Sequence, residues 1–290
     1  MTDLPLTVII PAYNAADSIV TAVASARSAG ARQILVVDDG SVDATSSVAR
    51  DAGATVIRQQ NAGAAHARRK AIPHIEQEFV IFLDADDSLV ATGVGKSVEF
   101  LISHPAYCVC AGTIITSGPA GQRPQPQRYS PIDTRSLLIK GFGPWPPAAA
   151  VVRTSSLHAA AELAVQPLHP RFAEDYELLI RLSLVGSVHN HGGPTCVYAL
   201  SGGKSARNAA QAIEAKEQIR SHYAEYAGIE IALMSPRAIK RSSQARQLRA
   251  AIAERAYLRV ALLSVSWCAR NPIDVLRRVS LRLRRPRRTP

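Results

Sequence analysis

The chain has 290 residues, of which 47% are hydrophobic and 20% are charged, and its formal net charge is +11. This composition can fill a hydrophobic core and excludes wholesale disorder. No apolar stretch reaches the roughly 18 uncharged residues of a spanning helix. The opening segment MTDLPLTVII lacks the basic start of a signal peptide, so we expect a cytoplasmic protein.

The first third of the chain alternates between strand-like and helix-like segments. In chain order these are LTVIIPAY, SIVTAVASARSAG, QILVVDDGS, DATSSVARDAG, ATVIRQ, NAGAAHARRKAI and FVIFL. The strand-like runs are apolar without polar alternation, which is typical of strands buried on both faces. The order predicts an α/β fold with a mainly parallel sheet flanked by helices. In such sheets, ligands bind beyond the carboxyl ends of the strands.

Acidic residues follow two of these predicted strands. Asp38 and Asp39 come after ILVV, and Asp84, Asp86 and Asp87 come after FVIFL. Carboxylates that meet at one sheet edge repel each other, and a divalent cation such as Mg²⁺ or Mn²⁺ would relieve the repulsion while binding a substrate diphosphate. The alternative is that these acids only cap the helices that follow them.

Five segments together resemble the family 2 glycosyltransferases of GT-A fold. In order they are VIIPAYNAADSI, ILVVDDGSVDAT, QQNAGAAHARRKAI, VIFLDADD and FAEDYELLIRLSLVG, and they extend from Val8 to Gly186. The resemblance implies a Rossmann-like, nucleotide-sugar-binding domain with a mixed, mainly parallel sheet flanked by helices. We expect this domain to occupy residues 1–205.

The resemblance also implies which residues bind the nucleotide sugar. The Tyr13 ring would stack on a uracil base, and Asp39 would accept a hydrogen bond from a base N–H, which favours UDP- or dTDP-sugars over CDP-sugars. Arg68 would face the base or a phosphate. The full set of expected nucleotide-sugar-binding residues is Pro11, Ala12, Tyr13, Asp38, Asp39, Asn61, Gly63, Arg68, Asp84, Ala85, Asp86 and Asp87.

The segment DADD is similar to the family's metal-binding motif. By this resemblance Asp86 would bind Mn²⁺ or Mg²⁺, and Asp84 would bind ribose or sugar hydroxyls or the metal through water. Asp87 would serve the donor sugar. The cation would neutralise the charge that develops on the departing nucleoside diphosphate.

The Glu-Asp pair in RFAEDYELLIRL corresponds to the family's catalytic acids. Asp175 would be the general base for the acceptor hydroxyl, and Glu174 would orient the acceptor. A single base opposite a leaving diphosphate implies inversion at the anomeric carbon. Trp145 is a second acceptor candidate. The alternatives are that the two acids cap a surface helix and that Trp145 packs a rigid turn.

The positive charge is concentrated near the end of the chain. From Pro236 onward there are 15 basic and two acidic residues, a net charge of +13, which leaves −2 for the rest. We expect residues 206–290 to form a helical, Arg-rich appendage. Its finish, VLRRVSLRLRRPRRTP, is typical of a helix on an anionic membrane surface. A solvated tail remains an alternative. Nucleic-acid binding is disfavoured because the tail lacks the interleaved aromatic residues of proteins that bind single strands.

The sequence therefore predicts a metal-dependent, inverting enzyme at the inner face of the cell membrane. It would move one sugar per encounter from a nucleotide-sugar donor to a hydroxyl of a polysaccharide, glycolipid or lipid-linked acceptor, since the Gln-x-x-Arg-Trp signature of processive members is missing. Two alternatives are a nucleotidyltransferase and a non-catalytic adaptor of the same fold. A nucleotidyltransferase usually has a Gly-rich first loop, and the segment PAYNAADS does not resemble one. The sequence specifies neither the sugar nor the oligomeric state.

Overall fold

The structure, a computed structural model, describes residues 3–118, 121–200 and 208–253 together with residues 260, 262, 263 and 265. None of the helices in this part of the chain is long and apolar enough to cross a membrane. The arginine-rich segment from Arg277 onward, for which we predict membrane binding, lies outside the described residues.

Strands and helices alternate through most of the described chain. The strands are β1 (Leu4–Ala12), β2 (Ala31–Asp38), β3 (Thr55–Arg58), β4 (Phe79–Phe82), β5 (Ser88–Leu89), β6 (Tyr107–Gly118), β7 (Gly121–Gln125), β8 (Ala150–Arg153) and β9 (Ser187–Ala199). The helices are α1 (Ile19–Ser28), α2 (Thr45–Asp51), α3 (Ala64–Ala71), α4 (Ala91–Ser103), α5 (Thr134–Lys140), α6 (Thr154–Ala161), α7 (Glu174–Val185), α8 (Ala209–Ala227) and α9 (Pro236–Ala253).

The strands of the described residues form one mixed sheet in the order β3-β2-β1-β4-β8-β6-β9-β5, with β7 paired to β6. The first four strands are parallel to one another. Strand β8 enters antiparallel between β4 and β6, and β9 runs parallel to β6. This arrangement confirms the predicted α/β sheet flanked by helices.

The centre of the sheet is mostly apolar, as the strand-like runs predict, and Thr7 of β1 is a buried polar exception. The residues of β4 and the following Leu83 are at most 4% exposed, and the inner positions of β1 and β2 are at most 8% exposed. Burial of one such Phe or Ile side chain contributes about 1.5–3 kcal/mol. Because the apolar run stops at Leu83, the following acids leave the core at the carboxyl edge.

Two features of the strands differ from the sequence expectation. Adjacent glycines and a proline, as at Gly192, favour a break between two short strands, but here they lie within one continuous strand, β9, whose register with β6 shifts at this point. Gly192 absorbs the irregularity with a φ of 76°. The short strand β5, between the DADD segment and α4, was not expected because its two residues carry no pattern of their own.

By its internal contacts the chain divides into two compact units. Among the described residues, the first unit contains 3–200 and 215–232, and the second contains 208–214 and 233–253. The expected domain boundary after residue 205 falls within 201–207, outside the described residues, and it stays a prediction.

Candidate active site

The ends of β1 and β2 lie side by side and are joined through side chains. The Asn14 N–H donates to Ser41 Oγ at 2.9 Å, and the Val42 N–H donates to Asn14 Oδ1 at 3.0 Å. Pro11 and Ala12 are buried in this edge, whereas Tyr13, directly after β1, is 41% exposed. An exposed ring at a strand end is accessible to a flat ligand.

The Asp39 carboxylate holds the loop that precedes α3. Its Oδ1 accepts hydrogen bonds from Gln59 Nε2 at 2.8 Å and the Ala62 N–H at 2.7 Å, and its Oδ2 accepts one from the Gly63 N–H at 2.8 Å. A carboxylate has about four lone-pair sites, so about one remains for a ligand. Asn61, in the same loop, is exposed.

Asp38 points into the turn after β2. It accepts hydrogen bonds from the Ser41 N–H at 2.9 Å and from the Ser46 hydroxyl, and Arg58 Nε lies 3.7 Å away. Burial would raise the pKa of Asp38, but these hydrogen bonds and the Arg58 charge outweigh it and leave the pKa lowered. Gly40 allows this turn to approach the next loop, because a Cβ there would lie 3.0 Å from Asn61 N.

The acids of the DADD segment cluster at the end of β4. Asp87 is 2% exposed, and its Oδ1 accepts a hydrogen bond from the Ala199 N–H at 2.8 Å. Its buried Oδ2 has no hydrogen-bond partner among the described residues. Burial, together with the charges of Asp84 and Asp86, raises the pKa of Asp87 to about 7.

Arg68 of α3 joins this cluster to α7. Its guanidinium donates to Asp84 Oδ1 at 2.5 Å and to Glu174 Oε1. The Arg68 side chain is 13% exposed. Burial works against its charge, but Asp84, Glu174 and Asp175 more than compensate and raise the pKa of Arg68. The cation that was expected to face a base or phosphate therefore lies between carboxylates of two elements in this structure.

Glu174 and Asp175 begin α7, where the unpaired N–H groups of a helix favour negative charge. Burial and the neighbouring Asp175 raise the pKa of Glu174, although Arg68 opposes the shift. Glu174 is thus less acidic than a free glutamate in spite of its ion pair.

Tyr198 of β9 directly precedes Ala199, whose N–H donates to Asp87, and the charges of both groups of acids act on its hydroxyl. Its pKa is raised to about 12, first by burial and then by the negative charges of Asp87, Asp84, Asp86 and Asp175. The sequence analysis did not single out Tyr198, because a Tyr in a strand-like segment carries no local signal of a site.

Buried polar contacts anchor α7 one turn beyond its acids. Glu177 Oε1 accepts hydrogen bonds from the Leu168 N–H at 2.6 Å and from the Tyr223 hydroxyl at 2.8 Å. Arg181 donates to the Val165 carbonyl at 2.8 Å and to the Ala160 carbonyl. Saturated buried networks of this kind fix a helix in one position.

Trp145 was expected near an acceptor. It is 9% exposed and lines a cavity of about 380 Å³ together with Glu174 and Asp175. Trp145 therefore lines the same cavity as the first turn of α7. The other group of predicted residues lies at the β1–β2 edge and in the loop before α3: Tyr13, Asp38, Asp39, Asn61 and Gly63.

The residues present fit a divalent cation bound jointly with a phosphate. No three His, Cys, Asp or Glu side chains in the described part of the chain form a complete metal site. Magnesium in phosphate-binding sites is commonly held by only one or two carboxylates plus the substrate. The buried Oδ2 of Asp87, which has no hydrogen-bond partner among the described residues, leaves an acceptor beside Asp84 and Asp86 that is suited to a cation or a hydroxyl.

The acids at the carboxyl edge of this α/β sheet lie where ligands bind in folds of this kind. The chain belongs to glycosyl transferase family 2, whose family model matches residues 7–156, more than half of its length.

Curated relatives match over shorter stretches. The chain is 37% identical over 93 residues to glycosyltransferase AglJ of Haloferax volcanii, covering 32% of this chain and 31% of the relative. It is 36% identical over 123 residues to the succinoglycan biosynthesis protein ExoU of Rhizobium meliloti, covering 38% and 36%. The matched stretches thus span about a third of the length of these relatives.

Solved structures share the fold at low sequence identity. S. aureus TarS 1-349, in complex with UDP-GlcNAc, has a TM-score of 0.58 at 18% identity and covers 86% of this chain and 79% of that chain. The mannosyltransferase PcManGT from Pyrobaculum calidifontis, in complex with GDP-Man and Mn²⁺, has a TM-score of 0.56 at 17% identity and covers 92% and 80%. These matches confirm the GT-A fold.

Proposed function

We propose that this protein is an inverting glycosyltransferase that moves a sugar from a UDP-sugar to an acceptor hydroxyl of a polysaccharide, glycolipid or lipid-linked saccharide. The observation that carries the proposal is the Arg68 bridge, which ties Asp84 at the end of β4 to Glu174 at the start of α7. The bridge supports a single site between the donor-binding edge and the α7 acids.

The donor would bind along the β1–β2 edge. Tyr13 would stack on the base, and Asp39 would accept the base N–H with its remaining lone pair, while the Asn61–Gly63 loop would lie against the ribose and base. Asp86 and Asp84 would hold Mn²⁺ or Mg²⁺. The bound cation would neutralise negative charge on the diphosphate. The UDP-GlcNAc complex of TarS supports a UDP-sugar as the donor class.

Asp175 would remove the proton of the acceptor hydroxyl as its oxygen attacks the anomeric carbon. The new C–O bond forms as the bond to the diphosphate oxygen breaks on the opposite side, and the electron pair leaves with the nucleoside diphosphate. Glu174 and Arg68 would position the acceptor and the base. This single displacement inverts the anomeric configuration.

The surrounding biology is proposed from the relatives. ExoU is described as a succinoglycan biosynthesis protein, and TuaG of Bacillus subtilis as a putative teichuronic acid biosynthesis glycosyltransferase. We extend this to an envelope or exopolysaccharide role at the inner face of the cell membrane, with the Arg-rich end as the anchor.

The variant Asp175→Asn tests the proposed base. We expect it to consume donor about 10²–10⁴-fold more slowly, because general base catalysis contributes this much, while UDP binding is unchanged. Turnover is measured over a panel of UDP-, GDP- and dTDP-sugars with Mn²⁺ and again after EDTA. Asp51→Asn, an exposed change at the end of α2, is the matched control. Full turnover by Asp175→Asn would exclude the base, and turnover that EDTA leaves unchanged would exclude the metal.

A further inference from the structure

The cavity beside the first turn of α7 has walls of unusual character for a sugar site. One side is the apolar face of the sheet, which contributes Phe82, Val109 and Val152, and another side is α6, which contributes Leu157 and Ala160. All five of these residues are buried. Sugars present hydroxyls that need hydrogen-bond partners, and these walls offer none.

Several polar side chains that border the cavity are paired within the protein, while Arg69, His169 and Asp175 also border it. Arg68 and Glu174 pair with each other at the α7 end. Arg181 donates to main-chain carbonyls and to Tyr223, and Glu177 accepts from Tyr223 and from the main chain. The lining of the cavity is therefore mostly apolar, and the acids of the first turn of α7 form part of it.

The size of the cavity fits a hydrocarbon group. An apolar cavity of about 150 Å³ stays dry and admits benzene, so a volume of 380 Å³ holds on the order of a dozen carbon atoms or more. The cavity is partly open to the surface, because the exposed residues Ala161 and His169 also line it, so a ligand can enter it. The volume also lies within the usual range of ligand pockets, about 300–1,000 Å³.

We propose that this cavity binds a hydrocarbon chain of the acceptor, so that the acceptor is a lipid-linked or alkyl-bearing molecule. The inference rests on the proposed function, since Glu174 and Asp175 at one end would meet the polar part of the same molecule. Trp145 also lines the cavity, and in this proposal its ring packs against the hydrocarbon chain of the acceptor. Prenyl and acyl chains share the required chemistry.

Binding of alkyl glucosides to the full chain tests the proposal without requiring turnover. Methyl, hexyl, decyl and geranyl β-glucosides are titrated below their micelle concentrations in a Trp267→Phe background, so that emission reports Trp145. We expect affinity to rise up to about fourfold per buried methylene from methyl to decyl. Tighter binding of geranyl than of decyl glucoside assigns a prenyl chain, and the reverse order assigns an acyl chain.

Filling the cavity provides the matched comparison. Ala160→Leu places three carbons in the cavity and should weaken decyl glucoside binding by more than about tenfold. Ala159→Leu, on the exposed side of the same helix, should leave it unchanged. Ala161→Leu, at an exposed position that also lines the cavity, replaces Ala160→Leu if the latter fails to fold.

Two results would overturn the inference: equal affinity for methyl and decyl glucosides, or equal effects of the Ala160 and Ala159 substitutions. Chain-length-dependent binding in a protein that consumes no nucleotide sugar would refute the proposed function alone. Turnover of a nucleotide sugar by a protein whose affinity for alkyl glucosides does not change with alkyl length would refute the cavity proposal alone.

Discussion

At the scale of single residues, the protonation of Glu174 controls the Arg68 bridge. Burial and Asp175 raise the pKa of Glu174 above its ordinary value of 4.5. Arg68 needs the ionised form, so the bridge weakens as pH falls through the raised pKa. The effect of Glu174 on the free energy of unfolding changes with pH in the opposite direction to the strength of the bridge. Because its pKa is raised in the folded protein, the folded state favours the protonated acid. Glu174 therefore contributes most to stability at low pH, and this contribution is lost as the pH rises through the raised pKa.

We therefore expect the acid limb of the pH–rate profile to lie above pH 4.5 and to move to lower pH in Glu174→Gln. The amide cannot ionise, and loss of the ion pair should lower kcat/KM by about 10–100-fold, since a charged hydrogen bond contributes about 1.5–3 kcal/mol. Donor consumption is measured from pH 4 to about pH 9, a range that brackets the ordinary carboxyl pKa. Glu225→Gln, exposed on α8, is the control, and an unshifted limb in Glu174→Gln would remove Glu174 from this role.

At the scale of elements, the packing of α4 on β9 depends on one glycine. A Cβ at Gly93 would lie 2.0 Å from the carbonyl oxygen of Pro194, whereas one at Gly95 would meet nothing within 4 Å. We expect Gly93→Ala to destabilise the protein by about 1–3 kcal/mol through overpacking. Gly95→Ala should stabilise it by about 0.5–1 kcal/mol, because alanine favours a helix. Thermal unfolding followed by circular dichroism measures both, and equal midpoints would contradict the close contact.

The same elements show which features the sequence could predict. Strands β1 to β4 carry local signals, since each is an apolar run that ends at a turn or in acids. The parallel pairing of β6 with β9 was not predictable, because Tyr107 pairs with Ser187 across a long stretch of intervening chain and no local pattern specifies it.

Some features of the candidate site could likewise be predicted from the sequence, and others could not. The acids Asp39, Asp84 and Asp86 could be proposed from the sequence because they follow predicted strands. The contact between Arg68 and Glu174 joins positions 106 residues apart, and it depends on β8 and α6 bringing α7 towards the end of β4. Tyr198 and the apolar cavity were missed for this reason, since both arise only when distant elements pack together.

At the scale of the whole molecule, charge is divided along the chain, with +13 from Pro236 onward and −2 before it. Seven of the arginines lie from Arg277 to the end, a segment outside the described residues. An acceptor with a hydrocarbon chain would be held in a membrane, so a membrane-binding end would bring the site to its substrate. Each basic residue near an anionic surface contributes about 1 kcal/mol, and the attraction is screened by salt.

We expect the full chain to sediment with phosphatidylserine-containing vesicles at low salt and to be released at about 1 M salt, where the Debye length is about 3 Å. A chain truncated before Arg277 should lose this binding by more than about 100-fold, since several charges are removed. A variant with the seven arginines replaced by lysine keeps the charge and should still bind. Donor consumption by the truncated chain in solution should match that of the full chain, because the proposed catalytic residues lie before residue 200. Equal sedimentation of full and truncated chains would show that the arginines do not anchor this protein to the membrane.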